Sequence, residues 1–148
     1  YVFVVELKTP NTLIFTSQKR HTSRANSWSF SDYFIDGISQ CLGQKSDWDR
    51  NHNLKPLIDN NDRVIDQTRI RTDDTKILFI IGNKSKEIPE ENTDVTTLTK
   101  RDTLHRFRRN SRNVEIVTFD ELYEKSYYLV HNKPCEKLRY FNIDDIPF

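Results

Sequence analysis

The sequence predicts an α/β fold, a central β-sheet with helices packed on it. Two segments, Tyr1–Leu7 and Lys76–Gly82, are dense in β-branched and aromatic residues. A third, Asn113–Val117, runs directly into a helical pattern. Strands that alternate with helices in this way need helices to cover the sheet.

Tyr1–Leu7 (Tyr-Val-Phe-Val-Val-Glu-Leu) is apolar at nearly every position, which predicts a central strand covered on both faces. Pro10 and Asn11 end it, and Leu13–Thr16 is placed to add a short partner strand. Residues 18–26 have no apolar periodicity and read as a basic loop carrying Lys19, Arg20 and Arg24. Ser29 with Asp32 three residues later has the form of a capping box. Phe34, Ile38, Cys41 and Leu42 then recur at helical spacing, predicting a helix from Ser31 to Trp48. Arg50–Asn61 reads as a polar loop and Val64–Ile70 as an edge strand. Lys76–Gly82 is the second buried strand, and Asn83–Asn92 reads as an exposed connection. Thr97–Arg109 follows as a helix with Leu104 and Phe107 on its apolar side. After the strand Asn113–Val117, Thr118 and Glu121 form a second capping box. Phe119, Leu122, Tyr123, Ser126 and Val130 then mark one face of an amphipathic helix.

The 148 residues make one ordinary domain. Only 35% are hydrophobic and 30% are charged, so the core must come from those few dense segments. No apolar run approaches the roughly 20 residues of a membrane span. The two cysteines, Cys41 and Cys135, lack the partners of a disulfide framework or a zinc site, which fits thiols in a reducing, cytoplasmic setting. The chain has no methionine and opens at Tyr1 inside a strand, so we expect a single domain over 1–148 that is incomplete at its N-terminus.

Three glycines in the whole chain exclude the Gly-rich phosphate loops of kinases, P-loop ATPases and dinucleotide enzymes. No Gly-x-Ser-x-Gly elbow is present, and His21, His52, His105 and His131 are scattered one per segment, so a hydrolase triad has no support. Overall charge is balanced at 23 basic and 22 acidic residues, but its distribution is not. Lys100–Arg112 holds six basic residues and one acid, net +5 over 13 positions. Such a stretch predicts either a phosphate-facing surface or a solvated helix face. The residues read as nucleic-acid contacts are Lys19 and Arg20 in the loop and Arg106, Arg108 and Arg109 in the helix.

The candidate for chemistry is Glu6-Leu7-Lys8. Side chains alternate along a strand, so Glu6 and Lys8 leave the same face, about 6–7 Å apart along the chain. A carboxylate there can bind a divalent cation through hard oxygen. The neighbouring amine can position water and neutralise charge on a phosphate, as phosphodiester hydrolysis requires. The same tripeptide also describes a solvated ion pair worth about 0–1 kcal/mol. In the next helix Tyr33, Gly37, Gln40 and Gln44 form a second stripe. Gly37 costs a helix about 1 kcal/mol relative to Ala, which predicts close approach of helix to sheet at that point. Gln40 and Gln44 then stand at the sheet end, or else border the core and face solvent.

Four pieces in order carry a resemblance. They are Val4-Val5-Glu6-Leu7-Lys8-Thr9-Pro10, the helix Asp32–Lys45 with Gln40, the strand Ile77–Gly82, and Asn113-Val-Glu-Ile-Val-Thr-Phe-Asp-Glu-Leu122. Together they resemble the PD-(D/E)xK restriction-endonuclease-like nucleases and, more narrowly, the Shedu antiphage nuclease domain. The resemblance implies a central mixed β-sheet flanked by helices and Mg²⁺- (or Mn²⁺-) dependent endonucleolytic cleavage of DNA in antiphage defence. It also implies action as a homo-oligomer, a dimer or tetramer. Carried over by position, Glu6 is the metal ligand, Lys8 the catalytic lysine and Gln40 the helix residue that completes the site, with Gln44 as weaker support. The chain departs from the pattern in one respect: the family's metal-binding Asp lies on a strand before Glu-x-Lys, and that stretch is not in this sequence. The alternatives are a catalytically inactive nucleic-acid- or partner-binding module on the same fold, and an unrelated α/β protein with an ion pair at Glu6 and Lys8. Catalysis requires Glu6, Lys8 and Gln40 to converge; the unrelated reading sets Gln40 far from Lys8.

Overall fold

A computed structural model describes residues 2–17, 26–51, 58–64 and 75–134. Its elements in order are β1 (Phe3–Leu7), α1 (Asp32–Asn51), β2 (Lys76–Ile80), α2 (Lys84–Glu87), α3 (Val95–Asn110), β3 (Val114–Val117) and α4 (Phe119–His131). The three strands form one parallel sheet in the order β1-β2-β3. Parallel neighbours cannot be joined by a tight hairpin and need a long crossover. Helix α1 lies within the first crossover and α3 within the second.

Register assigns each side chain to a face. Glu6 is level with Phe79, and Phe79 with Ile116. Val4, Ile77 and Val114 make the next row. This face packs against Phe34 and Cys41 of α1 and Leu104 and Phe107 of α3 in one cluster. Its centre is aromatic: Phe34 stacks on Phe30 at 4.2 Å and meets Phe79 and Phe107 edge-on at 5.6 and 5.5 Å. Edge-to-face rings add about 0.5–1.5 kcal/mol beyond the area they bury.

The other face differs from expectation. Phe3, Val5 and Leu7 are 55%, 51% and 62% exposed, so β1 is not covered on both sides. Among the described strands it is the border strand, with β2 in the centre. A run of apolar residues does not distinguish a central strand from a border strand whose second face is bare.

The segment before α1 folds as a short antiparallel contact between Phe15 and Phe30. The carbonyl of Ser29 is used there, accepting from the amide of Thr16 at 3.0 Å. The helix cap therefore falls to Ser31 rather than Ser29. Ser31 Oγ accepts from the amide of Phe34 at 3.1 Å and donates to the carbonyl of Leu13 at 2.5 Å. Within α1, Leu42 is half exposed while Gly37 is buried, so the core face is centred on Phe34, Gly37 and Cys41. Ile58 and Val64 form an isolated antiparallel bridge; residues 65–70 of the expected edge strand lie outside the described set.

The expected exposed connection after β2 is instead a tied-down turn of helix. Asn83, 3% exposed, caps α2 by accepting from the amide of Lys86 at 3.1 Å. Asp120 of α4 accepts from the amides of Lys84 and Ser85, both at 2.9 Å, and from the Ser85 hydroxyl at 2.7 Å. Glu87 accepts from the amides of Ile14 and Phe15 at 2.6 and 3.0 Å. Helix α4 starts as expected, with the Glu121 carboxylate accepting from the amide of Thr118 at 3.1 Å. Its apolar stripe is not buried, however: Leu122 and Tyr123 are 37% and 39% exposed, and Leu129 and Val130 82% and 77%. Among the described residues no helix is long and apolar enough to cross a membrane.

Candidate functional site

The site begins at the end of β1. Alternation sends Glu6 and Lys8 to the α1 side of the sheet while Leu7 points away. The amide of Lys8 bonds the carbonyl of Ile80 at 2.9 Å, which holds this end of the strand against β2. Lys8 Nζ then lies 2.7 Å from Glu6 Oε1, and the two side chains are 22% and 17% exposed.

The third group comes from α1. Gly37 faces the ring of Phe79; a Cβ there would stand 2.5 Å from Cε2 of that ring and 3.3 Å from Cε of Lys8. The missing side chain lets the helix settle onto the sheet, as its place in the sequence predicts. One turn later, Gln40 Oε1 accepts from Lys8 Nζ at 2.9 Å. Glu6, Lys8 and Gln40, distant in sequence, are therefore one hydrogen-bonded constellation, which excludes the arrangement with Gln40 far from Lys8. Gln44 is exposed, and no bond joins it to this group among the described residues.

Cys41 is fully buried beside the same site. Burial first, and the nearby Glu6 carboxylate second, push its thiol up to about 11. At neutral pH it is a thiol, not a nucleophile.

The constellation lies at the surface. Gln40 is exposed, and neither of two hollows elsewhere in the molecule, one on α4 and one between α2 and α3, is lined by Glu6, Lys8 or Gln40. Among the described residues no group of three Asp, Glu, His or Cys side chains is placed to hold a metal. Glu6 offers one carboxylate, already against an ammonium, and a divalent ion there would need further hard oxygen ligands beside it.

The basic residues of α3 divide by use. Arg108 makes two parallel bonds to Glu121 of α4, at 2.8 and 2.6 Å. Arg106 Nη2 donates to the carbonyl of Asn26 at 2.6 Å. Lys100 stands over the rings of Trp28 and Phe15 at 5.1 and 5.7 Å. Arg109 is exposed to solvent. Lys19 and Arg20 lie outside the described residues. With Arg101, which donates to the carbonyl of Pro89 at 2.9 Å, four of the basic side chains are engaged within the fold, and the run does not form one solvent-facing row. The carboxylates that hold α2, Glu87 and Asp120, were not visible as a pattern in the sequence; only their distant partners, Ile14 and Phe15 for Glu87 and Lys84 and Ser85 for Asp120, show what they do.

The sequence model of the C-terminal part of the Shedu protein SduA matches residues 1–123. The chain belongs to the Shedu family. In this Shedu chain the match takes in β1, α1, β2, α3 and β3 and ends within α4, so it includes Glu6, Lys8 and Gln40. No curated protein matches the chain.

Proposed function

We propose that this Shedu domain hydrolyses phosphodiester bonds of DNA in antiphage defence, with Lys8 as the residue that meets the reacting phosphate. The carrying observation is the convergence of Glu6 and Lys8 with Gln40, which lies 32 residues beyond Lys8 in the sequence. Support also comes from membership of the Shedu family. A half-buried ammonium held on both sides by acceptors keeps one position, and a fixed positive charge stabilises charge that develops on a phosphoryl oxygen. Glu6 sets the amine's place and draws one of its hydrogens. Gln40 orients it from the helix side.

A magnesium or manganese ion belongs to this reading as a proposal. It would take Glu6 as one ligand and require a second acid that the described residues do not supply. The same observation favours a second reading, a nucleic-acid-binding module without catalysis.

The test is cleavage of linear and circular DNA by the intact Shedu protein, with magnesium, for wild type and Lys8→Ala. Loss of cleavage by about 100-fold or more, with DNA binding retained, is the expected result, on the scale of removing one fixed electrostatic group. Equal cleavage by the variant would remove Lys8 from the chemistry. DNA binding with no cleavage by wild type would support the second reading.

A further inference from the structure

The basic run of α3 contains a feature that the Glu6 site does not use. Arg101, His105 and Arg108 fall at i, i+4 and i+7, so they share one stripe of the helix. Opposite them stands Lys84, the first residue of α2. The four line a cleft of about 470 Å³ between the two helices, with Glu90 at its margin and buried Leu104 within. That volume is in the range of small-molecule sites.

The two guanidinium groups in this cleft are fixed. Arg101 Nη2 donates to the carbonyls of Pro89 and Glu90 at 2.9 and 3.3 Å. Arg108 is held at both terminal nitrogens by Glu121. Each guanidinium keeps an enclosed Nε–H with no acceptor among the described residues. An enclosed donor without a partner is costly, and an anion nearby offsets part of that cost. Lys84 differs from the two arginines. Its Nζ lies 3.2 Å from Glu90 Oε1, but the Glu90 side chain is 83% exposed, and Glu121 is 3.9 Å away. An exposed partner of this kind contributes little and exchanges easily. Three cations thus meet two carboxylates, one of which can swing away.

We propose that the cleft between α2 and α3 binds the phosphate of a nucleotide, with Lys84 exchanging Glu90 for the ligand and His105 as the second contact. Arg101, bonded to carbonyls rather than to a carboxylate, supplies the standing positive charge, while Glu121 offsets most of that on Arg108. The phosphate can belong to a free nucleotide or to the end of a DNA strand; the chemistry of the contact is the same. The proposal is independent of catalysis at Lys8.

The experiment uses the full chain. Inorganic phosphate and a nucleoside monophosphate are titrated by calorimetry. Short oligonucleotides with and without a 5′-phosphate are titrated by fluorescence anisotropy. Lys84→Gln should weaken phosphate binding by at least about tenfold, the size of one lost charge-assisted hydrogen bond. Glu90→Gln should strengthen it by about threefold, because it removes a weak exposed competitor. Lys45→Gln on α1, where the side chain pairs with Asp49 and lies outside the cleft, should bind as wild type does. A 5′-phosphate dependence with oligonucleotides assigns the strand end as the source, and binding of the mononucleotide alone assigns the free ligand. His105→Ala provides a second variant should Lys84→Gln fail to fold, and it too should weaken binding. Undiminished binding by Lys84→Gln or His105→Ala in folded protein, or no binding of any probe by wild type, overturns the proposal.

Discussion

Lys8 has two acceptors, so its neighbours differ in what their loss should do. Removing Gln40 leaves the ammonium paired with Glu6. Gln40→Ala should therefore reduce cleavage by about tenfold, less than Lys8→Ala, with the folded state intact, as circular dichroism would check. Gly37 is a different case. A methyl group there collides with the Phe79 ring and presses on Lys8. Gly37→Ala should lower stability by about 1–3 kcal/mol by overpacking, despite the helix preference for Ala, and denaturant melts measure it directly. A gain in stability would mean that α1 does not sit as closely on the sheet as described. Gly37 was readable from the sequence because a helix-interior glycine in a chain with three glycines calls for a reason. The Ser31 cap was not, since Ser29 satisfies the same local pattern and only the pairing of its carbonyl with Thr16 decides between them.

At the scale of elements, α3 and α4 are joined by the Arg108–Glu121 pair, with both side chains about a quarter exposed. Breaking a largely buried pair leaves one charge without its partner and costs about 3–5 kcal/mol. Arg108→Glu should approach that loss, whereas Arg109→Glu on the exposed side should change stability by less than about 0.5 kcal/mol. Any fall in DNA affinity on charge reversal in α3 is thus informative at Arg109 and confounded by unfolding at Arg108. The strands and the long helices were legible because their apolar residues recur with a period. Helix α2 was not. Its four residues carry no periodicity, and its placement depends on carboxylates 36 residues away, at Asp120, and on a loop more than 70 residues earlier, at Ile14. The stripe of α4 was legible as amphipathic, but a pattern of apolar residues does not state whether anything covers them.

Over the whole molecule, the buried carboxylates set the response to acid. Burial alone would raise Asp120 and Glu121. Hydrogen bonds to Asp120 from Thr118, Ser85 and Lys84, and the Arg108 guanidinium at Glu121, outweigh it and hold both below their ordinary values of 3.8 and 4.5. A lowered folded value means that the folded state binds fewer protons, so their contribution is complete above the ordinary values and lost as pH falls through the folded ones. Glu87 runs the other way. Burial raises it above 4.5 against the opposing bonds from Ile14 and Phe15, so its contribution is present below 4.5 and fades as pH rises through the folded value. Denaturant midpoints measured from pH 7 down to pH 3 should therefore fall most steeply below about pH 4.5, and Glu121→Gln should flatten that fall. The sheet adds a practical consequence. With Phe3, Val5 and Leu7 bare on β1, and Leu129 and Val130 bare on α4, the native domain already shows oily surface of the sort that environment-sensitive dyes detect. Such dyes would fluoresce before any heating began. Thermal transitions of this domain are better followed through tryptophan emission, to which Trp28, packed against the core, contributes.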